Sequence, residues 1–326
     1  MRFLLRRLGA AAALVWLVLT LTFVLIRVAP GDPAALLVPP SATAADAARL
    51  RARLGLEAPL RVQYARWAGA TLRGDLGVSF ALRRPVTEVL GDALPVSLFL
   101  GGVSLALTFL VGAAVGAWQA SRRGSAADVA LTALTTALYA APSYWLALSL
   151  VALFTSGAAR WNFPAPLRLP AFGMRDAAAD TTGLVAIVDL ARHAVLPVVV
   201  LAAVGAAGIA RYSRSSVADV LAHDFVRTAR AKGLGPARVY ARHVLANALP
   251  ALVVLFALAL PGVVAGSVFV ESIFAWPGMG RVMLGAIAAR DYPVVMGVAA
   301  VYACLVVGAN LAADLALPLL DPRRRE

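Results

Sequence analysis

The sequence predicts an all-α polytopic membrane protein with six transmembrane helices, an external segment after the first helix, and one large internal loop. Three observations lead there. Hydrophobic residues make up 61% of the 326-residue chain and charged residues only 14%, against roughly 25% charged in a soluble domain. The apolar residues gather into six long uncharged runs, each able to cross hydrocarbon, which takes about 20 residues of helix. Apart from one long segment, the excess of arginine over acid falls in alternate connecting segments, the pattern that orients a chain in a bilayer.

The runs are Leu8–Ile26, Ala93–Trp118, Val129–Ala159, Ala194–Ala210, Val244–Val270 and Tyr292–Ala313. The first follows Arg2, Arg6 and Arg7, as a secretory signal would. It continues for 19 residues to Arg27 without a small-x-small cleavage site, so it is expected to stay as an uncleaved span. Val129–Ala159 is long enough for a span plus an interfacial piece around Pro142. Ala194–Ala210 is the shortest of the six.

Short basic segments mark the cytoplasm. The segments Met1–Arg7, Gln119–Asp128, Arg211–His243 and Leu315–Glu326 carry Arg122, Arg123, Arg211, Arg214, Arg323, Arg324 and Arg325 among others. Residues 27–92 also hold many arginines, but a segment that long translocates largely regardless of charge. Both termini are therefore expected inside. The formal net charge of +13 is accounted for by orientation, and no nucleic-acid partner is inferred from it.

Three stretches follow: residues 1–27 with the first span, an external segment over 28–92, and a five-helix core over 93–326 with an internal loop at 212–247. Within the external segment, "AADAARLRARLGL" is helix-forming sequence that stops near Gly55. "PLRVQYARWAGATL" restarts after Pro59 with Leu60, Tyr64 and Trp67 at helical spacing. Short amphipathic helices on the outer face are expected.

The internal loop reads as helix, sharp turn, helix. "SSVADVLAHDFVRTARAKG" has Ser216 placed to cap and Val217, Val220, Leu221 and Val226 about a turn apart. Gly233 suits the left-handed residue that closes a helix, and Pro236 suits the first turn of the next. Orientation alone needs only a few arginines. A capped two-helix elbow suits a protein partner that transmits force to the membrane helices.

Here a resemblance becomes specific. "DFVRTARAKGLGPARVYARHVLANALP" closely resembles the cytoplasmic coupling loop, or EAA loop, of ABC-importer permeases, in the version of the dipeptide, oligopeptide and nickel importers. "RVAPGDP", "LGLEAPLRVQYARW", "GDLGVSFALRRPV", "VFVESIFAWPGMGRVMLGAIAARDYPVVMG" and the closing "DPRRR" resemble other segments of the same family in order, so the likeness covers essentially the whole chain. The chain departs from the general pattern in two places. Arg227-Thr228-Ala229 stands where the general loop has Glu-Ala-Ala, and one residue fewer separates Asn247 from Pro250.

The resemblance implies a type I permease fold in the inner membrane. It also implies half of a transport path shared with a homologous second permease, two cytoplasmic ATPases that hold ATP-Mg, and an external solute-binding protein. Peptide is the implied solute, with nickel or another small solute as the alternative. It carries ATPase coupling onto Arg227, Thr228, Ala229, Arg230, Ala231, Lys232, Gly233 and Leu234.

Path or gate candidates are Ser97, Ser104, Tyr139, Ser143 and Glu271, with Thr108, Thr135 and Ser149 as further hydroxyls. The other reading of the hydroxyls is helix-to-helix hydrogen bonding. For Glu271 it is an ion pair with Arg281 or Arg290. Gly101-Gly102 and Gly112 with Gly116 read as close helix packing, Trp276-Pro277-Gly278 as a tight turn with an interfacial aromatic, and Asn310 with Asp314 as a packing hydrogen bond.

No phosphate-binding GxxxxGK[ST], HExxH or CxxC occurs, the lone Cys304 excludes an intrachain disulfide, and His193, His223 and His243 are scattered. No enzymatic role, cofactor or metal is expected of this chain. A secondary transporter, the rival from another class, requires buried ionisable residues near the midplane, and the six runs hold none.

Overall fold

The structure, a computed structural model, describes residues 2–29, 43–176, 182–260, 262–265 and 268–320, without the side chains of 2–5, 264–265 and 313–320. The described residues are helical, with one isolated antiparallel bridge between Val78 and Pro85 and no strand among them. Among the described residues five helices are long and apolar enough to cross a membrane: Arg6–Val28, Val86–Ser121, Gly183–Leu221, Pro236–Ala259 and Tyr292–Ala312. The pair Ala126–Ala140 and Ser143–Arg160, bent by 102°, brings the number to six when it is counted as one broken span.

That bend lies within the single third run of the sequence. Ala141 precedes Pro142, and both take extended backbone with ψ of 130°. The proline ring disfavours the helical conformation in the residue before it, so the run breaks there. The fourth helix is longer than its uncharged run, 39 residues over Gly183–Leu221. It admits charge at both ends because the charges find partners. His193 Nδ1 lies 3.2 Å from the Asp189 carboxylate, and Arg214 pairs with Asp128. The fifth helix starts at Pro236 and passes through Pro250 without ending, while Val268–Ile273 is a separate short helix.

The chain forms two compact units. One comprises Met1–Ser97 with Pro277–Gly308. Its core is Val86, Leu90, Ala93, Met279, Ala286, Val294, Val295 and Val298. Leu60–Leu72, expected as an amphipathic helix, lies along the first span through aromatic contacts. Trp67 stacks on Trp16 and Phe23 at 5.8 and 5.2 Å, and the Tyr64 and Thr20 hydroxyls are 2.9 Å apart. Ala44–Arg53 begins with a reciprocal Thr43/Asp46 capping box, and hydrogen bonds from Thr43 hold the Asp46 carboxyl below its usual range.

Asp291, unmarked in the sequence, organises the turn at 79–82 in this unit. Its buried carboxylate accepts the Ser79 hydroxyl and the backbone N–H groups of Phe80 (3.1 Å) and Ala81 (3.0 Å). Hydrogen bonds to charged acceptors contribute more than neutral ones. Asp291→Ala strands these donors and is expected to destabilise the unit by about 3 kcal/mol, read as a lowered unfolding midpoint in detergent.

The second unit comprises Leu98–Trp276 and Ala309–Glu326. Within it, the part of the helix Val86–Ser121 from Leu98 onward touches Gly183–Leu221 through glycine. A Cβ at Gly116 would lie 2.2 Å from the Ala210 carbonyl oxygen, and one at Gly112 would lie 2.8 Å from that of Ala206. Gly101 likewise meets the Val263 backbone at 2.1 Å, whereas Gly102 meets nothing. The packing role read for these glycines therefore belongs to three of the four. Trp276, which the sequence suggests as an interfacial aromatic, is fully buried and stacks on Phe99 at 6.2 Å. The Asp314 side chain lies outside the described residues.

Candidate functional site

The elbow begins where Gly183–Leu221 stops. The sequence suggests one helix from Ser216 to Gly233. Instead Ser216 is inside the long helix, Ala222 closes it, and His223 turns extended (ψ 149°) to start a new helix, Asp224–Ala231. The reason is tertiary. The redirected helix puts Val226 (0% exposed) and Ala229 (6%) into a cluster with Ala117, Ala120, Val217, Val239, Val244 and Ala248. A straight continuation would carry Val226 away from the bundle ends it packs on.

The turn follows its sequence signal closely. Lys232 caps the short helix, Gly233 has φ +78°, the Gly233 N–H donates to the Arg230 carbonyl at 3.0 Å, and the Leu234 N–H donates to the Ala229 carbonyl at 3.3 Å. That pair of bonds is a Schellman closure, which needs a left-handed residue at Gly233. Leu234 packs against the same cluster that holds Ala229. Pro236 then opens the next helix, which passes through a π-helical stretch at Tyr240–Leu245 into the fifth span. The Tyr240 hydroxyl donates to the Ala117 carbonyl.

Packing divides the eight residues singled out in the sequence. Arg227, Thr228, Arg230, Ala231, Lys232 and Gly233 are exposed, and Leu234 is half-buried. Ala229 is buried, so it supports the elbow from within and offers no contact surface. Phe225, which the sequence did not mark, is 41% exposed on the outer side. The outward surface is thus a small basic patch beside one aromatic ring.

Behind the elbow lies an ion pair that sequence reasoning missed. Arg214 meets Asp128 with two parallel bonds, Nε to Oδ1 at 2.7 Å and one terminal nitrogen to Oδ2 at 2.8 Å. The Gly124 N–H also donates to this carboxylate at 3.0 Å. The Asp128 side chain is 3% exposed and that of Arg214 is 31% exposed. From the sequence Arg214 is only an orienting charge, and 86 residues separate it from its partner. The pair Arg227–Asp224 is 75% and 88% exposed, and exposed pairs contribute little. Arg214→Gln is therefore expected to lower the unfolding midpoint clearly and Arg227→Gln hardly at all, as read by thermal unfolding of the purified protein.

The path candidates divide between the two units, Ser97 in the first and the others in the second. Ser97 is buried and accepts the Met279 N–H at 2.8 Å. Ser104 is buried with its hydroxyl unpartnered, Thr135 bonds its own helix backbone, and Thr108 fills the space beside Gly205. Glu271 is fully buried. These side chains are interior to the chain. Ser143 is half-buried at the start of Ser143–Val151. Tyr139 is 57% exposed with the Arg211 guanidinium 4.9 Å above its ring, and it borders a cavity of about 370 Å³ with Gly208, Arg211 and Tyr212. Among the described residues no group of three or more His, Cys, Asp or Glu is placed to hold a metal ion.

Comparison with known proteins follows the same outline. The family model "binding-protein-dependent transport system inner membrane component" matches residues 112–326, and that for the N-terminal part of such components matches residues 1–101. The oligopeptide transport system permease protein AppB of Bacillus subtilis is 36% identical over 93% of this chain and 92% of its own length. The dipeptide transport system permease protein DppB of Escherichia coli is 34% identical over 100% of this chain and 99% of its own. The di/tripeptide transport system permease protein DppB of Pseudomonas aeruginosa is 36% identical over 99% and 98%. Among solved structures, one described as an amino acid ABC transporter with histidines aligns with a TM-score of 0.51 and 14% identity, covering 72% of this chain and 94% of that one. This last likeness concerns the fold alone.

Proposed function

The chain belongs to the family of binding-protein-dependent transport system inner membrane components, and from that premise we propose that it is the permease subunit of an ABC importer of di- and oligopeptides. Relatives that match nearly its full length are named for peptide transport, which supports peptide over nickel or another small solute. In this reading both termini and the elbow face the cytoplasm. The chain supplies half of the path beside a homologous second permease, and an external binding protein delivers the solute. ATP hydrolysis belongs to a separate subunit, so this chain catalyses nothing.

One observation carries the coupling role: a helix anchored from beneath by Val226 and Ala229 presents Arg230 and Lys232 outward beside a Gly-closed turn. An acidic groove on an ATPase would meet that patch with opposite charge. When the ATPases bind nucleotide, their movement biases the elbow, and through the shared core the membrane helices, toward one of two states. Such a shift requires the partner to bind the two states with different affinity.

Arg230→Glu combined with Lys232→Glu tests it, because both side chains are exposed and the reversal leaves the core untouched. Like charge across an interface is strongly unfavourable. ATPase capture and ATP-driven uptake of a labelled dipeptide by the reconstituted transporter are expected to fall at least ~10-fold, with an unchanged unfolding midpoint. Full ATP-driven uptake by the reversed variant would overturn the coupling role of Arg230 and Lys232, and uptake at the wild-type rate without ATP would overturn the importer reading.

A further inference from the structure

A cavity of about 750 Å³ opens in the first unit at the end of the first span. Four arginines line it: Arg27, Arg53, Arg66 and Arg83. Among the described residues no carboxylate lies within ion-pair distance of any of the four. Asp75 is the one acid in the lining, and its Oδ1 already accepts the Gly77 N–H at 2.8 Å. Among the described lining residues four guanidiniums face one carboxylate, and the positive charge left over in the concavity suits an anionic ligand.

The way Arg27 is held sharpens the chemistry. Its guanidinium carbon lies 5.3 Å from the Phe23 ring centroid and 5.1 Å from that of Tyr292. The two rings hold the cation in place without neutralising its charge. A planar fork of donors suits the paired oxygens of a phosphate.

An apolar groove borders the cavity. This groove, of about 280 Å³, shares Phe23 and Arg27 with it and runs along Thr20, Val24, Val28 and Leu60. The first span beside it leaves Leu21 54%, Leu25 69% and Val28 71% exposed, a surface suited to acyl chains. Arg27 ends the apolar stretch, at the depth where headgroups begin. A cationic end joined to an apolar trough on a lipid-facing helix has the form of an amphiphile. A soluble acidic protein would leave the trough empty.

We infer that this cleft is a binding site for an anionic phospholipid, its phosphate held by Arg27, Arg53, Arg66 and Arg83 and one acyl chain lying along the first helix. Basic residues at a membrane surface each contribute on the order of 1 kcal/mol toward anionic lipid, about a fivefold change in affinity apiece.

The test uses the purified full-length protein and a thermal-shift titration with dioctanoyl phosphatidylglycerol, dioctanoyl phosphatidylcholine, inorganic phosphate and hexaglutamate. Native mass spectrometry after exchange from mixed-lipid nanodiscs counts retained lipid. Phosphatidylglycerol is expected to bind at least ~10 times more tightly than phosphatidylcholine, with one molecule retained per chain. Arg53→Gln with Arg66→Gln, both exposed and away from the core, is expected to weaken it roughly 20-fold. Arg53→Lys with Arg66→Lys is expected to keep most of the affinity. Equal binding of the two lipids, or wild-type affinity in the glutamine variant, would overturn the site. Phosphate as effective as the lipid would make it a free-anion site, and saturable hexaglutamate binding without phosphatidylglycerol binding would assign it to an acidic protein; either result overturns the inference.

Discussion

Gly116→Ala is expected to destabilise the membrane bundle by about 3 kcal/mol or more, although it adds a single methyl group. The new Cβ would sit 2.2 Å from the Ala210 carbonyl oxygen, 2.7 Å from Ser213 Cβ and 2.8 Å from the Arg214 backbone nitrogen. Two of those three atoms are main chain of the long helix, so no side-chain rotation relieves the clash. The helices must separate, and the van der Waals packing that holds closely spaced helices together in a bilayer is weakened along the whole seam. The same separation would stretch the hydrogen bond from the Ser213 hydroxyl to the Ala113 carbonyl, 3.0 Å in the structure. Gly102→Ala on the same helix is the control, since nothing lies within 4 Å of its added carbon. There the replacement is expected to be neutral or to stabilise by about 0.5–1 kcal/mol through helix propensity. Denaturation of both variants in mixed micelles separates the outcomes; equal effects would mean the seam tolerates what its geometry forbids.

Val226→Asp is the second large effect. Val226 is fully buried among Val217, Val239, Val244 and Ala117, and an unpaired carboxylate placed there costs more than about 4 kcal/mol. A helix of 8 residues has too little of its own stability to resist. The elbow is expected to melt while the spans stay assembled, so that ATPase capture and peptide uptake are abolished in a protein that still purifies as a single species. Phe225→Asp changes the neighbouring residue on the outer side, 41% exposed, and is expected to leave stability within about 0.5 kcal/mol of wild type. Limited proteolysis reads the difference directly, with new cleavage between 222 and 235 in the first variant only.

What the sequence disclosed, and what it withheld, follows from the range of the forces involved. Span positions were legible because hydrocarbon acts on composition alone. The turn at Gly233 was legible because a left-handed residue and a proline after it are local constraints. The break at His223 was not, since neither it nor Ala222 breaks a helix; the packing of Val226 imposes it. Ala229 looks like a partner contact from its place in a motif. Its spacing of three from Val226 puts the two on one helix face, and that signal was available. Nothing local couples Asp128 to Arg214 across 86 positions, and Asp291 looks like any loop carboxylate until the turn at 79–82 folds over it. Hydroxyl residues are the least legible of all, because a serine that bonds a neighbouring backbone and one that faces a solute have the same letter.

The single cluster beneath the elbow has a mechanical consequence. Val226 and Ala229 are not packed against a pad of their own; they sit in the same close-packed mass as Ala117 and Ala120 at the end of one long helix and Val217 near the end of another. Close-packed interiors compress very little. A displacement applied to the outer surface therefore has no soft layer in which to be absorbed, and the lever is as stiff as the shaft it turns.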